Sequence, residues 1–121
     1  MNQIIEVKQS GWIWIINRSV KKPLITGKYL FFSKDKNLLI ELSKRILLEY
    51  GLSVAKVPLS DEPVGEDFVL CVYDAEPKLK DELKKYANQD IRYRYWKSDE
   101  DTLKGKYSNQ FKQAIEKKNE T

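Results

Sequence analysis

The side chains best able to do chemistry in this chain gather in residues 92–107, RYRYWKSDEDTLKGKY. Arginine and aromatic residues at alternate positions suit two tasks together. A guanidinium grips a phosphate with paired N–H donors, and a ring stacks on a base. If residues 91–96 form a strand, Arg92, Arg94 and Trp96 share one face, while Ile91, Tyr93 and Tyr95 take the other. Ser98 with Asp101 three residues on reads as the capped start of a helical turn. Asp99, Glu100 and Asp101 would then sit in its first turn, where each carboxylate is stabilised by about 0.3–1 kcal/mol. Gly105 closes the turn. Lys106 and Tyr107 are not needed by that turn; with Lys97 they would flank a run of backbone amides, an arrangement suited to an anion.

What the chain lacks narrows the classes further. It has no histidine, the commonest general acid or base and the commonest metal ligand, and it has one cysteine. A structural zinc site is excluded on that inventory. The acidic triplet lacks calcium-loop spacing, so neither a metal nor a cofactor is expected. Cys71 lies in the apolar run VLCVY and reads as a buried, unreactive thiol. An enzyme is therefore disfavoured.

Net charge is +4, and the basic excess lies in the first half, with ten Lys/Arg against four Asp/Glu in residues 1–60. That excess suits a phosphate-bearing partner, although a lysine-rich surface also serves solubility. Lys28 and Lys56, both on strand-like segments, join the candidate contacts.

These residues need elements to position them. Residues 11–17 (GWIWIIN) and 28–33 (KYLFFS) read as strands. In residues 34–50 the apolar period changes, and Leu38, Leu39, Leu42, Ile46 and Tyr50 mark one helical face, with Asp35 as N-cap and Gly51 just past the end. Residues 53–58 form a short strand, and 68–73 (FVLCVY) a central strand covered on both faces. Pro77 opens a second helix running to Asn88, with Leu79, Leu83, Tyr86 and Ala87 inward. The strand over 91–96 follows. Phe111, Ala114 and Ile115 suggest a helical tail that frays at its end.

The order ββαββαβ plus a C-terminal helical segment gives an α+β class: a curved, mainly antiparallel sheet with two main helices packed on one face. The other sheet face is then left partly open. The 121 residues make one domain, with its core over about 11–108 and a tail over 109–121. No apolar run is long enough to span a bilayer, and MNQIIEVKQS does not resemble a leader, so a soluble, cytoplasmic protein is expected.

The segments GKYLFF, AKV, VLCVYDAE and YWKSDEDTLKGKYS resemble, in order, the landmarks of the basophilic-leukaemia-expressed protein (Bles) family. Members carry a Gly-Lys-aromatic strand, an Ala-Lys-Val strand, a Cys-Val-Tyr strand and a Tyr-Lys-Thr-Asp-Glu-Asp-Thr-x-x-Gly-Lys-Tyr block. Here Trp96 precedes the lysine of that block, and Ser98 replaces its threonine. The resemblance covers roughly residues 12–108, and its last block is the specific one. It implies a fold like that of the eukaryotic cap-binding translation initiation factor. The family label, a phosphothreonine lyase domain, implies β-elimination with a lysine base and a histidine acid, and this chain has no histidine.

The functional expectation is a small basic domain binding a nucleotide or RNA on its open sheet face. Its contacts would be Lys28, Lys56, Arg92, Arg94, Trp96, Lys97, Lys106 and Tyr107. Trp12 and Trp14 share one face of their strand and belong either to the core or to that surface. A protein-interaction or inhibitor domain is the alternative, with a lyase-like enzyme behind it. An RNA binder needs a contiguous basic-aromatic patch, whereas an adaptor needs an exposed apolar one.

Overall fold

Among the described residues, alternation of apolar side chains, interrupted by one amphipathic stretch, folds into a single sheet with one α-helix on one face. The computed structural model describes residues 3–21, 25–63 and 65–98. Along the chain run β1 (Ile4–Gln9), β2 (Trp12–Asn17), β3 (Gly27–Ser33), α1 (Lys36–Tyr50), β4 (Val54–Pro58), β5 (Phe68–Asp74), a short 3-10 helix (Glu82–Tyr86) and β6 (Arg92–Ser98). The sheet order is β1-β2-β4-β5-β3-β6, with every neighbouring pair antiparallel. The α+β class and the antiparallel sheet match the sequence reading. No helix among the described residues is long and apolar enough to cross a membrane.

Two details of the expected order are corrected. An additional strand, β1, precedes β2. The two-residue turn between them has Ser10 at φ +57° and Gly11 at φ +81°. Two left-handed residues give the type I′ turn, whose twist matches that of the strands it joins. The second expected helix, over 77–88, is instead a turn followed by the 3-10 helix. Only Leu79 and Leu83 are buried there, one turn apart, so there is no longer apolar stripe to hold an α-helix on the sheet. The Leu79 amide is also held by the buried Tyr29 hydroxyl at 3.1 Å, which fixes the approach of the segment.

α1 has the expected caps. The Asp35 carboxylate accepts from the Asn37 and Leu38 amides, and Gly51 ends the helix at φ +67°. Leu39, Leu42, Ile46 and Leu47 pack on Ile13, Ile15, Tyr29, Phe31, Ala55, Val57, Leu70 and Val72 of the sheet. Leu38, expected inward, is exposed, and Leu47 takes its place in the core. Buried Asn17 fastens the helix end to β2 by donating to the Leu47 and Leu52 carbonyls, both at 3.1 Å.

The outer strand β6 carries an irregularity that decides what faces where. Leu30 of β3 is paired with Arg94, but the next residue back, Tyr29, is paired with Trp96. Tyr95 is therefore the extra residue of a β-bulge, and the face parity of β6 reverses across it.

Candidate functional site

On the sheet face turned away from α1, the register assembles the site in rows. Trp14 is opposite Lys56, Lys56 opposite Cys71, Cys71 opposite Leu30, and Leu30 opposite Arg94. One step along, Tyr73 is opposite Lys28 and Lys28 opposite Lys97. One step the other way, Val69 is opposite Phe32 and Phe32 opposite Arg92. Lys28, Lys56, Arg92, Arg94 and Lys97, scattered over three strands, thus share one face.

The centre of that face is an aromatic and cationic cluster. The Lys56 ammonium lies 3.9 Å from the ring centre of Trp12, 5.1 Å from Trp14 and 5.8 Å from Tyr73. Lys28 is 5.7 Å from the Tyr73 ring. Ring faces carry negative quadrupole density, and such contacts are worth about 0.5–2 kcal/mol each, more where water is excluded. Trp14 and Tyr73 stack with centroids 6.4 Å apart. The Trp14 indole donates to the Gln9 carbonyl at 3.2 Å.

Two opposing effects meet at Cys71. Burial pushes its thiol upward, and the charges of Lys56, Lys28 and Lys97 pull it down; burial wins. The result is a thiol held neutral, the opposite of an activated nucleophile. It also shows that the three lysines act on one point.

The expected open face is corrected at its centre. Trp14 and Tyr73 are fully buried, and Lys56 and Lys28 are 1% and 3% exposed. Trp14 is therefore core, and Trp12 is half-buried beside it. Exposure begins at the β6 side, where Arg92 and Arg94 are exposed and Lys97 and Phe32 half-buried.

Trp96 leaves the candidate set. The bulge turns it to the α1 face, where it packs edge-on against Tyr29, centroids 5.1 Å apart. The same shift carries Lys97 to the cationic face, in phase with Arg94, where strict alternation would have placed it opposite. Tyr93 stays on the α1 side as expected, its hydroxyl donating to the Lys80 carbonyl at 2.8 Å and pushed up to about 12 by burial and by Asp81.

The two arginines differ. Arg92 pairs with Asp67 and lies over the Phe32 ring, its guanidinium 5.5 Å from the centroid. Arg94 makes no ion pair among the described residues. A groove beside it is lined by Phe32, Asn88, Ile91, Arg92 and Arg94. Lys106, Tyr107, the Ser98–Asp101 cap with its acidic triplet, and the tail over 109–121 involve positions outside the described residues.

Tyr73, Cys71 and Phe32 were not named as site residues from the sequence. Their signal was present in the alternation of FVLCVY and YLFF, but it gains meaning only once Lys28 and Lys56 are known to neighbour them. Set against known proteins, the chain matches no family model, no curated protein and no solved structure.

Proposed function

We propose that this chain is a non-catalytic domain that binds single-stranded RNA along the β6 side of the sheet face opposite α1. The observation that carries this reading is the bulge at Tyr95, which brings Arg92, Arg94 and Lys97 into phase beside Lys28 and Phe32. Arg94 and Lys97 contact phosphates, and Phe32, with Arg92 held over it by Asp67, offers a stacking platform. A base stacked on an aromatic ring is worth about 1–3 kcal/mol. Lys28 and Lys56 lie behind this rim and add positive potential from a poorly solvated position. The absence of histidine and the neutral, buried Cys71 thiol both support binding without catalysis. One antiparallel sheet backed by a helix also fits the resemblance to the Bles family, and membership of that family is part of the proposal.

The adaptor alternative asks for an exposed apolar patch. The exposed large apolar side chains among the described residues are Leu38, Leu48 and Leu59, none of them on a strand of this face.

The test is fluorescence anisotropy of a labelled oligouridine titrated at several salt concentrations. Two phosphate contacts give a slope of log K against log salt near −1.4, about −0.7 per contact on a single strand. Arg94→Ala is expected to flatten that slope by about 0.7. Affinity that ignores salt, or an unchanged slope in Arg94→Ala, overturns the reading. Full competition by a mononucleotide would reassign the site to a nucleotide.

A further inference from the structure

The outer edge of the sheet at β1 carries a pattern that its own hairpin does not require. In a two-residue hairpin the closing pair, here Gln9 and Trp12, exchanges backbone hydrogen bonds, and alternate pairs do so thereafter. The Arg18 amide bonds to the Gln3 carbonyl at 2.7 Å, which keeps the same parity at the far end. Gln3, Ile5, Val7 and Gln9 therefore spend their backbone groups on β2. The amides and carbonyls of Ile4, Glu6 and Lys8 point out from the sheet, where no described strand lies beside them.

Two of these three outward positions, Glu6 and Lys8, carry opposite charges and are both exposed. We infer that β1 pairs with β1 of a second copy of this chain, antiparallel and centred on Val7. In that register Glu6 of each copy faces Lys8 of the other. Each of these residues presents its free backbone donor and acceptor toward that partner, so the backbone pairing and the charge pairing select the same alignment. Val7 faces Val7 across the two-fold axis in a non-hydrogen-bonded position, where Cα atoms approach to about 4.5 Å and aliphatic side chains pack closely. Neighbouring registers centred on Glu6 or Lys8 place like charges directly opposite, which is unfavourable. Lys44 of α1 already holds Glu6 at 3.1 Å, fixing the carboxylate beside the edge.

A lone edge lysine usually discourages strand addition. Here Glu6, two residues away, turns Lys8 into a selector for a copy of the same strand. The two-fold axis stands perpendicular to the sheet, so both copies turn their cationic faces the same way and their β6 strands lie at the far ends.

Sedimentation velocity across a concentration series up to about 1 mM tests this. The chain is expected to pass from monomer to dimer. Lys8→Glu, checked by circular dichroism and melting at low concentration, should weaken the dimer about tenfold, since two attractive cross-strand pairs become repulsive. Glu6→Lys should do the same alone, and an equimolar mixture of the two variants should restore pairing, because each then complements the other. A monomer at every concentration overturns the inference. So does a dimer that Lys8→Glu leaves intact, or a mixture that pairs no better than its components.

Discussion

Gly27→Ala is the sharpest test of how β3 and β6 meet. A Cβ added at Gly27 would lie 2.4 Å from Cζ2 and 2.7 Å from Cε2 of Trp96, and 2.7 Å from the Lys97 carbonyl oxygen. Ordinary carbon contacts sit at about 3.5–4.0 Å, so roughly 1 Å must be recovered. The indole alone cannot supply it, because its other side is against Tyr29, and the carbonyl belongs to the strand backbone. Overpacking of this kind costs about 1–3 kcal/mol, and backbone involvement puts it near the upper end. Replacing glycine within a strand returns about 0.5–1 kcal/mol of chain entropy. The net expectation is a loss of about 2 kcal/mol. A urea titration followed by tryptophan fluorescence would then show the midpoint about 1 M lower. Adding Trp96→Leu should recover part of the loss, not all, since the carbonyl contact persists. A change within about 0.5 kcal/mol for Gly27→Ala would refute the placement of Trp96 over Gly27. Binding gives a second readout: if Lys97 contacts phosphate, the same variant should bind RNA more weakly under conditions where it is fully folded.

Two smaller changes probe other parts of the fold. Ser10→Asn puts the residue favoured by type I′ turns at a left-handed position, and is expected to add about 0.5–1 kcal/mol to stability in thermal or chemical melts. Tyr86→Phe removes the hydroxyl that donates to Glu49 at 2.5 Å, the first cause holding that carboxyl below its ordinary value, with Lys85 also contributing. A carboxyl lowered by folding stabilises above its unfolded pKa and loses that contribution as pH falls through the folded value. The stability gap between wild type and Tyr86→Phe should therefore be full near neutrality and shrink as pH drops below about 4.

Much of this architecture is local, and so was readable in the chain. α1 announces itself through Asp35, Gly51 and the spacing of Leu39, Leu42 and Ile46. FVLCVY reads as a strand buried on both faces, which β5 is. β1 was legible in the alternation of IIEVKQ and in the Ser-Gly pair, but a short strand at the chain start competes with a frayed end. The second helix failed because two apolar positions a turn apart are satisfied equally by a 3-10 segment. The bulge could not be read from RYRYWKS at all. It depends on Gly27, sixty-nine positions before Trp96, leaving a hollow into which the indole fits. The grouping of Lys28, Lys56 and Lys97 is equally non-local, since sheet order rather than sequence order makes them neighbours. The burial of the face centre was missed because alternation reports which side a residue takes and not how deeply that side is covered.

The bulge in β6 also sets a counting rule for this strand. Before Tyr95 the cationic face is read at even positions, and after it at odd ones. Deleting Tyr95, the extra residue, would restore plain alternation with Arg94, Trp96 and Lys97 each still on its own face and opposite the same partner. Closing the bulge with every residue kept would instead send the Lys97 ammonium into the apolar layer and the Trp96 indole out of it. Loss of that one residue should therefore be tolerated by the packing on both faces, whereas a change that irons out the bulge at constant length should not.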